Sequence, residues 1–103
     1  MVRVKISDIH PDMRNLEVSG EIVDIGEKRE VETRFGPAAV VAAVLEDETG
    51  SIRLNLWRSQ IDMVKRGDRI TVVKAFVRTF RGNMELNIGG DGKIIVLDRR
   101  RRI

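Results

Sequence analysis

"RITVVKAFVRTF", residues 69–80, decides the fold. It reads as a β-strand, but its alternation of apolar and other side chains breaks near Val72-Val73. After the break Val73, Ala75 and Val77 are expected to point inward, while Lys74, Phe76, Arg78 and Phe80 point outward. Side chains of a strand alternate between its two faces, so a change of phase requires an extra residue or a bend. Bent strands are what curl a sheet into a barrel.

Working outward, "SQIDMVKRGD" (59–68) predicts a short helix, with Ser59 as cap, Ile61 and Val64 three apart and Gly67 as the stop. Before it, "SIRLNLWR" (51–58) alternates cleanly, with Ile52, Leu54 and Leu56 on the core face and Arg53, Asn55 and Trp57 on the other. "AAVVAAVLED" (38–47) is a further strand, stopped by "EDETG". "EKREVETRFGP" (27–37) reads as a loop or protruding hairpin. The first strand begins at Leu16, with Leu16, Val18, Gly20 and Ile22 on one face until Val23 and Ile25 switch parity beside the glycine. Downstream, Gly82-Asn83 makes a turn, "MELNI" (84–88) returns with Leu86 and Ile88 inward, Gly89-Gly90 ends it, and "KIIVLD" (93–98) is a last extended or helical piece. Five strands, two of them bent, with a short helix between the third and fourth, predict an all-β domain: the five-stranded Greek-key barrel called the OB-fold, which binds oligonucleotides or oligosaccharides on one face.

With 103 residues, 42% of them hydrophobic, the chain has room for one core. We expect a single domain over 1–98 and a basic tail over 99–103, where four arginines stand together. The lack of cysteine excludes a disulfide framework, a thiol nucleophile and a cysteine-built zinc site. "MVRVKISDIH" has no apolar run of the signal-peptide kind, and no stretch approaches the roughly 18 apolar residues of a membrane span. The expectation is a soluble, cytoplasmic and nucleoid-associated protein.

Charge is unevenly spread. Residues 1–50 hold six Lys/Arg against eleven Asp/Glu, residues 51–83 hold eight against two, and residues 84–103 hold five against three. A basic cluster in one region is the footprint of a polyanion site. Two of the chain's four aromatic residues, Phe76 and Phe80, lie in that region among Lys74, Arg78 and Arg81, and Trp57 lies there beside Arg53 and Arg58. All three fall on outward parity, and the fourth, Phe35, lies beside Arg34 in the predicted hairpin. Outward rings interleaved with cations suit unstacked bases, each worth roughly 1–3 kcal/mol, with phosphates held alongside. The same rings and arginines also suit a protein-partner surface.

These residues resemble a known family, the archaeal single-stranded DNA-binding proteins and the OB domains of replication protein A. The resemblance runs from about Val4 to Val96, through "ISDIHPDMRNLEV", "EDETGSIRLNLW", "VKRGDRI" and "AFVRTFRGNMELNIGG". It implies that bases stack on Trp57, Phe76 and Phe80, and that Arg29 and Arg34 of the first long loop contact DNA. The family often carries tryptophan where this chain has Phe76.

Together the residues predict a non-enzymatic binder of single-stranded DNA acting in replication, recombination or repair. Trp57, Phe76 and Phe80 would stack bases, Arg53, Arg58, Lys74, Arg78 and Arg81 would hold phosphates, Asn55 would bond a base or sugar, and Arg34 with Phe35 would close the site from the loop, where the resemblance adds Arg29 as a further DNA contact. Nothing in these residues separates DNA from RNA, and an interaction subunit using the aromatic face for a replication or repair protein is the other reading. No catalytic residue, metal, cofactor or small-molecule substrate is expected. His10 is the single histidine, Glu46-Asp47-Glu48 reads as part of a hairpin turn, and no GxxxxGK loop occurs.

Overall fold

Gly20 sits where the sheet closes on itself. In the computed structural model, which describes residues 1–99, seven strands follow one another: β1 (Val2–Arg3), β2 (Leu16–Ile25), β3 (Arg29–Thr33), β4 (Gly36–Asp47), β5 (Gly50–Trp57), β6 (Arg69–Phe80) and β7 (Asn83–Asp98). The first half of β2, Leu16 to Glu21, pairs antiparallel with β6, and its second half, Glu21 to Ile25, pairs antiparallel with β4. The ring β2–β6–β7–β5–β4 is thereby complete, with β5 and β7 parallel and the other pairs antiparallel. The crossing is tight: a Cβ at Gly20 would stand 2.5 Å from the Glu46 carbonyl oxygen. No other residue lets the two backbones come so close.

Bulges in β2 and β6 supply curvature. In β2 the register shifts between Ile22 and Asp24, at the parity switch expected from Val23 and Ile25. In β6 it shifts between Val73 and Ala75, one residue later than the break near Val72-Val73. Val73 is accordingly half-buried rather than a core residue, and Lys74 is the bulged position, at φ 58. On the opposite strand, Ile88 pairs with Ala75 and Lys93 with Val73, so the residues between them loop outward without ending the strand. Gly89-Gly90 therefore interrupts β7 but does not stop it, and "KIIVLD" is its extended continuation.

Other expectations change in detail. The helix expected over 59–68 is a single 3-10 segment, Arg58–Met63, too short for an α-helix between two extended positions. Ser59 does not cap it; the side chain of Gln60 accepts the Trp57 N–H instead, at 3.0 Å. The turn after β6 is centred on Arg81-Gly82, at φ 51 and 81, one residue before Gly82-Asn83, because a two-residue hairpin loop needs both central residues left-handed. Residues 27–37 include the protruding hairpin, β3 with the start of β4. Of the expected basic tail only Arg99 is described; its guanidinium lies 3.5 Å from Asp68, and residues 100–103 lie outside the described residues.

The core is aliphatic. Leu16, Val18, Ile22, Leu45, Leu54, Leu56, Ile70, Val72 and Leu86 are fully buried, and no aromatic ring belongs to the cluster among the described residues. Each such side chain contributes about 1.5–3 kcal/mol by leaving water. Ile6 and Ile9, which precede the first strand expected from sequence, also join it. That segment is held by the turn after β4: Asp47 accepts the Ile6 N–H at 2.9 Å, Thr49 accepts the Ser7 N–H at 3.0 Å, and Lys5 pairs with Glu48 at 2.6 Å. Burial disfavours the Asp47 charge, but hydrogen bonds from Thr49, Ile6 and Gly50 outweigh it and hold the carboxyl below its ordinary range.

Candidate nucleic-acid interface

Residues opposite one another on neighbouring strands share a face, so the register builds the outer surface rung by rung. Across β4, β5, β7 and β6 one rung reads Val44, Arg53, Glu85, Arg78. The next position on β7, Asn87, pairs with Phe76, and Asn83 pairs with Phe80. Trp57 pairs with Val40, two places beyond Arg53 along β5. A side-chain hydrogen bond then joins the two sides, as the Trp57 indole Nε1–H donates to Asn87 Oδ1 at 3.1 Å. The alternation expected from sequence thus brings Trp57 and Phe76 to either side of Asn87, with Phe80 further along the same face of β6.

A second set of bonds braces this face. Arg53 Nε donates to Asn55 Oδ1 at 3.0 Å, Asn55 Nδ2 donates to Glu85 Oε1 at 3.0 Å, and Arg53 lies 3.5 Å from the other Glu85 oxygen. Asn55 is only 6% exposed, so its amide holds Arg53 and Glu85 in place beneath the surface rather than facing a ligand. Glu85 and Asn87 were missing from the sequence-derived site, although the inward Leu86 and Ile88 of "MELNI" already put both on the aromatic face. No buried side-chain nitrogen or oxygen among the described residues lacks a partner.

The rings carry cations. Arg78 lies 5.9 Å from the centre of the Phe76 ring, Arg81 lies 5.1 Å from that of Phe80, and Arg34 lies 5.9 Å from that of Phe35. Trp57 and Phe76 are half-buried, whereas Phe80 is 55% and Phe35 83% exposed. Among the described residues five non-glycine positions adopt left-handed backbone, and three of them, Arg58, Lys74 and Arg81, are cations of the expected site. A long side chain there costs roughly 1–3 kcal/mol, and such strain concentrates at functional positions. Lys74 also pairs with Asp91 at 2.9 Å, and its hydrogen bond is the main reason the Asp91 carboxyl lies below its ordinary range.

The hairpin residues are placed differently. Arg29 pairs with Val40, on the rung of Trp57, and is exposed. Arg34 and Phe35 lie at the tip beyond Gly36, which at about 3.3 Å per residue stands roughly 13 Å past that rung. They form an arm beside the face and are not part of it. Two clefts open on the face. One, of about 520 Å³, lies between Phe76, Lys74, Asp91 and the turn Asp12–Asn15; the other, of about 570 Å³, lies between Phe80, Arg81, Arg53 and Ser51. No group of three or more His, Cys, Asp or Glu side chains among the described residues is placed to hold a metal ion.

Comparison with known proteins accords with this architecture. Residues 10–96 match the family described as single-stranded DNA binding protein Ssb-like, OB fold. The single-stranded DNA binding protein Ssb of Saccharolobus solfataricus is 29% identical over 90 residues, covering 87% of this chain and 61% of that protein. Replication factor A of Methanothermobacter thermautotrophicus is 35% identical over 97 residues, covering 87% of this chain but only 12% of that much longer protein. An OB domain from Thermoplasma acidophilum superposes with a TM-score of 0.84 at 25% identity, covering 100% of this chain and 93% of that domain. With its closed ring of five strands and a family match over most of its length, the chain belongs to the Ssb-like family of OB-fold single-stranded DNA-binding proteins.

Proposed function

We propose that this protein binds single-stranded DNA along the face of β5, β7 and β6, without catalysis and largely without sequence preference. The observation that carries the reading is the bonded row Trp57–Asn87–Phe76, which sets two rings on one face with Phe80 further along it. Bases would stack on these rings because every base has a π-face, while Arg78, Arg81, Arg58 and Lys74 hold phosphates. Arg78 and Arg81 already lie over Phe76 and Phe80, so a cation is at hand wherever a base stacks. Arg53 and Asn55 are assigned a bracing role with Glu85, and Arg29, Arg34 and Phe35 would meet a strand that runs on past Trp57. A nucleoid-associated role in replication, recombination or repair follows, with proteins of those processes as partners by extension from the replication-factor relative.

Trp57 is the single tryptophan, which makes it both hypothesis and probe. Titration with a thymidine oligomer is expected to quench its emission in parallel with the anisotropy of a labelled strand. Emission that stays constant while anisotropy reports binding removes Trp57 from the contact surface. Absence of binding to the oligomer, with capture of a replication or repair protein lost on Phe80→Ala, would transfer the face to a protein partner.

A further inference from the structure

The turn before β2 and the bulge of β6, which also helps to curve the barrel, face each other across the 520 Å³ cleft. Asp12, Asn15 and Lys74, three non-glycine residues with left-handed backbone, all line it. The turn is fastened on both sides: the Val2 N–H donates to the Asn15 carbonyl at 3.0 Å and the Val77 N–H to the Met13 carbonyl at 2.8 Å. Arg14 stands exposed between those two anchors. Across the cleft the bulge presents Lys74, whose ammonium is held by Asp91 at 2.9 Å. Phe76 forms the wall toward the aromatic face. A strand leaving Phe76 away from Trp57 therefore enters a cleft with one cation on each side.

We infer that this cleft is a nucleotide subsite, in which Arg14 and Lys74 take the phosphate next to the base stacked on Phe76 and Lys74 exchanges Asp91 for it. The inference rests on the single-stranded DNA reading of the neighbouring face and adds a place the strand goes and two residues that hold it. Asp91 acts as a resident stand-in for phosphate. It keeps the ammonium beside the strained bulge, satisfied and correctly placed, until a strand displaces it. The exchange swaps one ion pair for another, so its net gain is modest and its salt dependence is the clearer signature.

A ladder of thymidine oligomers growing by one nucleotide tests this, with affinity read by anisotropy and Trp57 emission together. The parent is expected to show a rise of about tenfold at the length that first reaches the cleft, the worth of one hydrogen bond to a charged group. Arg14→Ala and Lys74→Asn should each reduce that step and flatten the salt slope by about 0.7 at long lengths, and Arg14→Ala should leave shorter oligomers bound as before. Asparagine accepts left-handed backbone and the two residues lie on different elements, so folding of at least one variant is secure. Asp91→Asn should tighten binding of the long oligomers only, whereas Asp98→Asn, the same change of charge elsewhere on β7, should not. A step that survives in both cation variants, while Trp57 is still quenched, overturns the cleft alone. A parent that binds no oligomer, or whose Trp57 never responds, overturns the reading beneath it.

Discussion

Phe80 and Val77 lie three residues apart on one strand and face opposite ways. Phe80 is 55% exposed beneath Arg81, and Val77 is 6% exposed in the core. Phe80→Ala is expected to lower single-strand affinity by roughly 1–3 kcal/mol, as lost stacking platforms do, while shifting stability by less than about 0.5 kcal/mol. Val77→Ala should do the reverse, destabilising by about 1–3 kcal/mol through lost burial and a small cavity, with affinity per folded molecule intact. Thermal melting and anisotropy on both variants check this; a Phe80 variant that unfolds while its folded fraction binds normally makes the ring structural. The outward direction of the rings was legible in sequence because a period of two is all it takes to read it. Asn55 was not, since parity alone put it at the surface while its burial depends on Glu85, thirty residues away on a strand that pairs with β5 only in the closed ring. Local alternation says which way a side chain points, not what lies over it.

At the scale of elements, the turn from β4 to β5 does more than reverse the chain. Asp47 folds it by accepting from Thr49 and also receives the Ile6 N–H, pinning the segment that carries Ile6 and Ile9 into the core. The "EDETG" stretch was legible as a turn from its composition, but the second role depends on a segment forty residues earlier and leaves no local trace. The bulge of β6 was misplaced by one residue for a similar reason: Val72 and Val73 are the same side chain, and only the left-handed Lys74 marks the extra position. Because the Asp47 carboxyl is held below its ordinary range in the folded protein, it stabilises the fold fully above the unfolded value near 3.9, and that increment is lost as pH falls through the lower folded value. Asp47→Ala is expected to cost about 1–2 kcal/mol at neutral pH. Its melting temperature should converge on that of the parent as the medium is acidified below the ordinary carboxylate range. A gap between the two that stays constant with pH would show that the charge of Asp47 has no part in the clamp.

For the whole molecule, ring order converts an uneven sequence into a two-sided particle. β7 stands across the barrel from the β2–β4 seam, so Arg53, Lys74, Arg78 and Arg81 cluster on β5, β6 and the turn beside β7, while Glu17, Glu21, Glu46 and Asp47 line β2 and β4. A polyanion is attracted to one side and repelled from the other, which orients it before any contact forms. The net charge of +3 conceals this, and the separate counts along the chain revealed it only because β5 and β6, which carry the basic segment, flank β7 in the ring. Binding should therefore weaken steeply with salt, log K falling against log salt by about 0.7 for each phosphate neutralised on a single strand. Arg78→Ala or Arg81→Ala is expected to flatten the slope by about that amount, because each removes one cation beside a ring. Neutralising Glu21 should raise affinity at low salt through the general field without altering the phosphate count, so it shifts the line and leaves its slope. A parent slope near zero would leave stacking as the sole source of affinity and remove the electrostatic half of the proposal.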